Sequence, residues 1–350
     1  MKIRLSALVA ACAIAYPLVP AQADDSQLGH VVVTATRQPI SADAALASVD
    51  VIERDEIVRA GHSGLLGLLA SRPGVQMARN GGPGSSGSVF IRGANSGHTL
   101  LLVDGVRVGS ATSGSPVLET IPLEIIERIE ILRGPASALY GADALGGVIQ
   151  VFTRKGREGF QPAARVGVGS DGAREASATL AGGDDRLRYS VTAGHERSDG
   201  FNARPDSQTE QDRDDDGFRE DYLSASVALD LGGNDELGAS VLYSDMRNWF
   251  DAAESFDSFL DKRAESYGLH LRKQHTAEWT STLRFGHSVD ALENQSSATM
   301  ASRFDTTQRQ LSWQHDVALG GGSLMAAYEF LQQRVQTTAD YEKTRRHINA

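Results

Sequence analysis

Leu187-Arg-Tyr-Ser-Val-Thr-Ala193 is the stretch on which the fold turns. Leu187, Tyr189, Val191 and Ala193 face one way and Arg188, Ser190 and Thr192 the other, the period of two of a strand with one apolar and one polar face. The alternation recurs in Leu223, Ala225, Val227 and Leu229, in Leu237, Ala239, Val241 and Tyr243, and in Tyr267, Leu269 and Leu271. Trp279, Leu283 and Phe285, then Leu324, Ala326, Tyr328 and Phe330, continue it.

The connections between these segments also alternate. Gly182 to Asp185, Gly232 to Glu236, Gln274 to Ala277 and Gly320 to Gly322 are short, whereas the stretches near 197–220, 248–263 and 289–302 are long. Short turns at one end and long loops at the other are the habit of an outer-membrane barrel. A soluble β-sandwich alternates as well, so the pattern leaves both open. About nine such strands are counted before Ala350, an odd number with no closing aromatic strand. Open edges in lipid leave backbone groups unpaired at high cost, so the expectation is the N-terminal part of a longer barrel.

Upstream the texture differs. Between about Asp24 and Gly156 the chain reads as a mixed α/β unit. Ser63 precedes Leu65, Leu66, Leu68 and Leu69, a short helix ending at Pro73-Gly74. Strand-like pieces follow at Val89 to Ile91, Thr99 to Val103, Ile129 to Leu132 and Val148 to Phe152, with a helical turn at Glu124 to Glu127 after Pro122. At the start, Lys2 and Arg4, the apolar run Leu5 to Val19 and the small-x-small Ala21-Gln22-Ala23 form an export signal cleaved near Ala23. Val9-Ala-Ala-Cys12 is a competing lipoprotein pattern, but cleavage there would leave too short an apolar core.

Composition narrows the function. In 350 residues with 23% charged and 41% hydrophobic side chains, the longest apolar run is too short for a spanning helix of ~20 residues. That excludes a helical membrane protein and leaves a barrel open, since alternating strands build no hydropathy peak. Cys12 is the only cysteine, so the exported chain has no disulfide and no cysteine metal site. The net charge of -11 and the lack of a basic cluster argue against nucleic acid. Gly82-Pro-Gly84-Ser-Ser-Gly87 matches the dinucleotide pattern in letters only, because Pro83 interrupts it and a strand follows where a helix should begin. No zinc spacing, Walker loop or hydrolase elbow is present, and nothing argues for an enzyme.

Four motifs carry a resemblance. His30-Val-Val-Val-Thr-Ala-Thr-Arg37, Val89-Phe-Ile-Arg-Gly93, Leu101-Leu-Val-Asp-Gly-Val106 and Ile131-Leu-Arg-Gly-Pro-Ala-Ser-Ala-Leu-Tyr-Gly141 occur in order, the last continued by Ala142-Asp-Ala-Leu-Gly-Gly-Val-Ile149. Together they resemble the plug signatures of TonB-dependent outer-membrane receptors. Within that family, Asn80-Gly-Gly82, Ser113-Gly-Ser115 and the acidic barrel loops resemble the receptors for cobalamin (vitamin B12). The resemblance implies a four-stranded mixed α/β plug followed by antiparallel transmembrane strands of an incomplete 22-stranded β-barrel. The domains expected are a signal peptide (1–23), a periplasmic arm with the Ton box (24–37), the plug (38–156) and the N-terminal part of the barrel (157–350).

The resemblance further implies TonB-dependent active transport of a corrinoid across the cell outer membrane by a monomer in lipid, with ExbB and ExbD energising TonB. A ferric-siderophore or haem receptor is the alternative within the family, and a secreted β-rich adhesin or binding module the alternative outside it. Val31, Val32, Val33, Thr34 and Ala35 would be the Ton box, since a β-branched segment in a polar arm with no partner strand nearby suits strand addition to another protein's sheet edge. An ordinary first plug strand is its plain alternative. Arg92 and Arg133 would meet barrel glutamates as plug–barrel contacts, with those partners expected beyond Ala350, or stand as exposed strand-end arginines. Asn80, Gly81, Gly82, Thr112, Ser113, Gly114 and Ser115 would contact ligand.

Asp212-x-Asp214-x-Asp216-Gly217 opens like an EF-hand, but Leu223 stands where the closing Glu belongs, so an EF-hand is rejected. By resemblance, calcium would instead be held by Asp214 and Asp216 of one external loop and Asp251 and Asp261 of the next, with Asn202 where the family has an aspartate. A solvated acidic loop is the plain alternative.

Overall fold

The computed structural model describes residues 32–33, 40–41, 48–61, 64–79, 81–204, 214–253, 256–338 and 341–349. The export signal, Val31, Thr34, Ala35, Ser63 and Asn80 lie outside them, as do residues 205–213 of the acidic stretch. Strand β1 (Val32–Val33) pairs antiparallel with β2 (Ile40–Ser41), Val32 opposite Ser41 and Val33 opposite Ile40. The expectation of no nearby partner strand is therefore corrected.

The plug is built from β3 (Ser48–Glu53), α1 (Arg54–Ala60), α2 (Leu65–Ala70), β4 (Val75–Arg79), β5 (Gly87–Ile91), β6 (Thr99–Val103), β7 (Val106–Arg107), β8 (Ile126–Arg133), α3 (Ser137–Tyr140) and β9 (Gly147–Thr153). Its main sheet runs β3-β8-β9-β6-β7, with β6 and β9 parallel, and β4 pairs with β5 separately. Five strands stand where the resemblance implied four, because the chain doubles back through Asp104-Gly105 to form the two-residue β7. Those turn residues have φ of 49° and 84°, the left-handed pair that a two-residue hairpin turn requires. The Asp104 carboxylate then accepts from Thr153 N (3.1 Å) and Oγ1 (2.6 Å), fastening the turn to β9.

All five residues of β6, Thr-Leu-Leu-Leu-Val, are buried, which is why that strand shows no alternation. Leu65, Leu66, Leu68 and Leu69 of α2 pack with Ile52, Val89, Ile91, Ile129, Ile131, Ile149 and Val151 into one core. Helix α1 was not foreseen, since Ile57 is its only buried residue and gives no periodicity. The turn expected at Glu124 to Glu127 is a single 3₁₀ turn at Leu123–Ile125, after which β8 has already begun. At Gly147 an added Cβ would lie 2.4 Å from the Leu132 carbonyl oxygen and 3.0 Å from Ile91 Cδ1. Gly147→Ala should therefore destabilise the plug by ~1–3 kcal/mol through overpacking, seen as a lower urea midpoint for plug unfolding. An unchanged midpoint would mean that β8 and β9 yield freely.

The second layer is a wall of antiparallel strands in sequence order: β10 (Gly159–Val168), β11 (Arg174–Gly183), β12 (Leu187–Phe201), β13 (Asp216–Gly232), β14 (Asp235–Ala253), β15 (Phe256–Gln274), β16 (Trp279–Gln295), β17 (Ala301–Leu319), β18 (Gly322–Thr337) and β19 (Glu342–Asn349). Among the described residues there are ten where alternation suggested about nine. Strands β12 to β17 run 15–19 residues, well beyond the ~9–11 that cross a bilayer.

Much of what read as long loop is ladder. Stretch 248–263 is the paired end of β14 and β15, with Asn248 opposite Leu260 and Trp249 opposite Phe259. Stretch 289–302 is the end of β16 and the start of β17, leaving 296–300 as connection. In these stretches apolar residues fall on both faces, as in Trp249-Phe250 and Phe259-Leu260, so the side chains stop alternating while backbone pairing continues.

The outward face carries an exposed apolar band, including Leu187, Val191, Leu223, Val227, Leu237, Leu269 and Phe285. At its short-turn end Trp279, Trp313 and Tyr328 are exposed, Trp279 stacking on His275 at 4.2 Å and donating Nε1–H to His315 Nδ1 at 3.2 Å. An apolar band edged by aromatic residues suits a bilayer and its interface. The inward face is polar and small, with Ser190, Thr192, Ser224, Ser244, Ser266, Ser288 and Ser312 buried toward the plug.

Candidate functional site

Plug and wall belong to one compact unit, Val32–Ala350, and meet through polar contacts. Wall side chains satisfy plug carbonyls: Gln310 Nε2 donates to Gly105 O (2.8 Å), Gln308 Nε2 to Gly109 O (2.9 Å), Ser288 Oγ to Arg107 O (2.8 Å) and Ser226 Oγ to Arg154 O (3.0 Å). Buried loop backbone needs such partners, which the serines and glutamines of the inward face supply. Two ion pairs are deeper. Arg107 donates Nη2 to Glu329 Oε1 at 2.8 Å and Nε to the same oxygen at 3.1 Å, both side chains almost wholly buried. Its Nη2 also bonds the Tyr140 carbonyl at the end of α3. Lys262 Nζ lies 3.1 Å from Glu119 Oε1 and 3.2 Å from Gly84 O.

Arg133 and Arg92 make their described contacts within the plug. Arg133 donates Nη1 to Pro73 O (2.5 Å), and its Nη2 lies 3.8 Å from Asp50 Oδ2, both groups of the plug itself. Arg92 is exposed, its φ of 51° paired with 75° at Gly93 in a tight turn after β5. Neither meets the ten wall strands in the described contacts; Arg107 does. Strand parity was the available signal. Glu329 interrupts Leu324, Ala326, Tyr328 and Phe330 on the opposite face, and Lys262 likewise falls opposite Tyr267, Leu269 and Leu271.

At the loop end, plug residues 81–85 lie beneath the wall. Gly82 is buried, with the Asp216 carbonyl oxygen 2.8 Å from where its Cβ would stand, and Gly84, at φ 79°, leaves no room for a Cβ against the Phe218 ring. Asn248 Nδ2 reaches Pro83 O at 3.5 Å. Thr112, Ser113 and Gly114 are exposed in a second loop, closed by Ser110 N donating to Ser115 O (3.1 Å). Ala111 N donates to Thr306 Oγ1 (3.1 Å), tying this loop to β17. Of the foreseen ligand contacts, the second loop faces outward, whereas Gly82 is covered.

Of the five foreseen calcium donors, Asp214 and Asp251 act on Asp216, whereas Asp261 and Asn202 are engaged elsewhere. Asp261 stands opposite Arg247 in the ladder and accepts from its Nε and Nη2 at 2.6 and 2.7 Å, a two-pronged ion pair that commits the carboxylate. It lies on a strand rather than in a loop, which corrects its placement. Asn202 Oδ1 accepts from Arg204 N at 2.8 Å. Among the described residues no three acidic, histidine or cysteine side chains gather as a metal site. Asp216 is nevertheless buried beside Asp251, with which it shares a hydrogen bond, and it accepts from Ala203 N at 3.1 Å. Burial, helped by the neighbouring Asp214 carboxylate, raises the Asp216 pKa above the ordinary value despite the Ala203 hydrogen bond.

A plug sheet set against a wall of long antiparallel strands, apolar outside and polar within, defines a plug with part of an outer-membrane-type barrel. Residues 41–148 match the family model of the TonB-dependent receptor plug domain, and the chain belongs to the TonB-dependent receptor family. It is 31% identical over 353 residues to a vitamin B12 transporter BtuB of Photobacterium profundum, covering 94% of this chain and 54% of that protein. A second BtuB, from Vibrio vulnificus, is 36% identical over 275 residues, covering 75% and 42% respectively. The chain thus spans about half the length of these curated relatives. In structure it is similar to the siderophore receptor PirA of Acinetobacter baumannii, with a TM-score of 0.67 at 19% identity over 84% of this chain and 49% of that one. At that identity the likeness concerns the fold alone.

Proposed function

We propose that this chain supplies the plug and ten wall strands of an outer-membrane active transporter for cobalamin or a related corrinoid, driven through TonB, ExbB and ExbD. The observation that carries the reading is the similarity to vitamin B12 transporters at 31% and 36% identity, on a plug held in the wall by buried charge. Ligand meets the outward loop 110–115 and the strand ends around it, and residues 31–35 offer a strand to TonB in the periplasm. No enzymatic step enters. Equilibrium binding of cyanocobalamin, against a ferric siderophore, to the full-length receptor tests the reading. Preference for the siderophore would overturn the ligand assignment and leave the transport class standing.

Calcium belongs to this proposal in a reduced form. Asp214, Asp216 and Asp251 are its donors, drawn together when the ion offsets their mutual repulsion, while Asp261 stays with Arg247. If calcium favours the loop state that contacts the corrinoid, each ligand raises the other's affinity by the same factor. The double change Asp214→Ala with Asp216→Ala should abolish the calcium dependence of cyanocobalamin binding, and Asp261→Asn should leave it intact. A carboxyl of raised pKa must lose its proton to ligate, so the calcium effect should fade as pH falls through the raised Asp216 value. Equal cyanocobalamin affinities with calcium and with chelator, in the unmodified receptor, would leave the stretch a solvated loop.

A further inference from the structure

The Lys262 ammonium is almost fully withdrawn from solvent, its side chain 2% exposed, with Glu119 beside it at 10%. A buried ammonium is tolerated only when its donors are used. Here they reach two places far apart in sequence. One is Gly84 O in the loop between β4 and β5; the other is Glu119 Oε1 at the end of the segment that follows loop 110–115. Glu119 in turn accepts from Leu118 N through its second oxygen at 3.1 Å, so the carboxylate is fixed to its own backbone. Asn248 and Phe218 touch only the first of these plug segments, and Thr306 and Gln308 touch neither, meeting Ala111 and Gly109 ahead of the second. Among the described contacts, Lys262 is the wall side chain that engages both.

We propose that Lys262 is a positioning residue of the external mouth. It fastens the 81–85 loop and the Glu119 segment to β15 at one point, so that the two loops present to a ligand as one surface rather than as two independently moving ones. The inference rests on the proposed function only for the ligand; the fastening itself is a property of the fold. Lys262 need not touch the ligand. Its effect on affinity comes through the order of the loops, since a surface already ordered loses less freedom on binding.

Within residues 13–350 there is no cysteine to compete with a placed label, and any cysteine elsewhere in the full-length receptor is first replaced by serine. Ser86 and Ser113 are exposed, one near each loop. In the full-length receptor carrying Ser86→Cys and Ser113→Cys with spin labels, the distance distribution between the loops should be narrow without ligand. Lys262→Met alone leaves a buried carboxylate without its cation and risks misfolding, so the deciding variant is Lys262→Met with Glu119→Gln, which removes both charges and keeps both shapes. That variant should broaden the distribution and weaken cyanocobalamin binding about ten-fold, and Lys262→Arg should restore part of both. An unchanged distribution overturns the proposal whatever ligand is used. A broadened distribution with unchanged cyanocobalamin affinity overturns the positioning role. If the unmodified receptor does not bind cyanocobalamin, the function reading fails while the distance measurement still decides the fastening.

Discussion

Replacing Arg107 by methionine in the full-length receptor should destabilise the seated plug by ~3–5 kcal/mol, the usual cost of breaking a buried ion pair from one side. The guanidinium gives two of its donor groups to Glu329 and also bonds Tyr140 O, so one side chain joins β7, the end of α3 and wall strand β18. Methionine fills much of the same volume but leaves the Glu329 carboxylate buried without that cation. The double change Arg107→Met with Glu329→Gln should recover most of the loss, because the ionic desolvation disappears with the charge. A double-mutant cycle on plug unfolding by urea isolates the coupling between the two. A single-mutant effect under ~1 kcal/mol would show that the pair does not hold the plug. Glu329→Gln alone should cost less than Arg107→Met, since its amide oxygen can still accept from the guanidinium.

The sequence made the layers of this fold legible and hid most of the contacts between them. Period-two alternation marks strands wherever one face meets lipid and the other the lumen, as from Leu187 to Ala193. It fails on β14 and β15 beyond Tyr243 and Glu265, where neighbours such as Trp249-Phe250 and Phe259-Leu260 put apolar side chains on both faces, so Asp251 and Asp261 read as loop residues. The plug motifs were legible because they encode backbone geometry. Arg92-Gly93 and Asp104-Gly105 adopt paired positive φ values at tight turns, which few other dipeptides accept. That Arg107 also ties the plug to the wall was not legible. Arg107 lies in no glycine motif, and its partner Glu329 is 222 residues away, so only the closure of plug on wall brings them together. The same holds for Lys262 and Glu119, whose meeting depends on how far each strand of the wall is shifted against its neighbour.

Val33→Pro should stop transport while leaving ligand binding within about two-fold of the unmodified receptor. Strand addition joins two chains through backbone hydrogen bonds, and proline removes a donor while restricting the residue before it. Successive N–H groups on a strand point to opposite edges, so Val32→Pro serves as the companion variant, and the one that removes the outward donor carries the loss. In the described residues β1 pairs only with β2, over two residue pairs, and stands outside the five-stranded plug sheet. Breaking so short a ladder should cost the plug little, which separates this effect from that of Arg107→Met. Were residues 31–35 merely a structural strand of the plug, the proline would lower the urea midpoint and leave energised uptake in proportion to the folded receptor. The measurement is uptake of labelled cyanocobalamin by cells with TonB, set against equilibrium binding to the same cells. Normal uptake by both proline variants would remove the assignment of this segment to TonB.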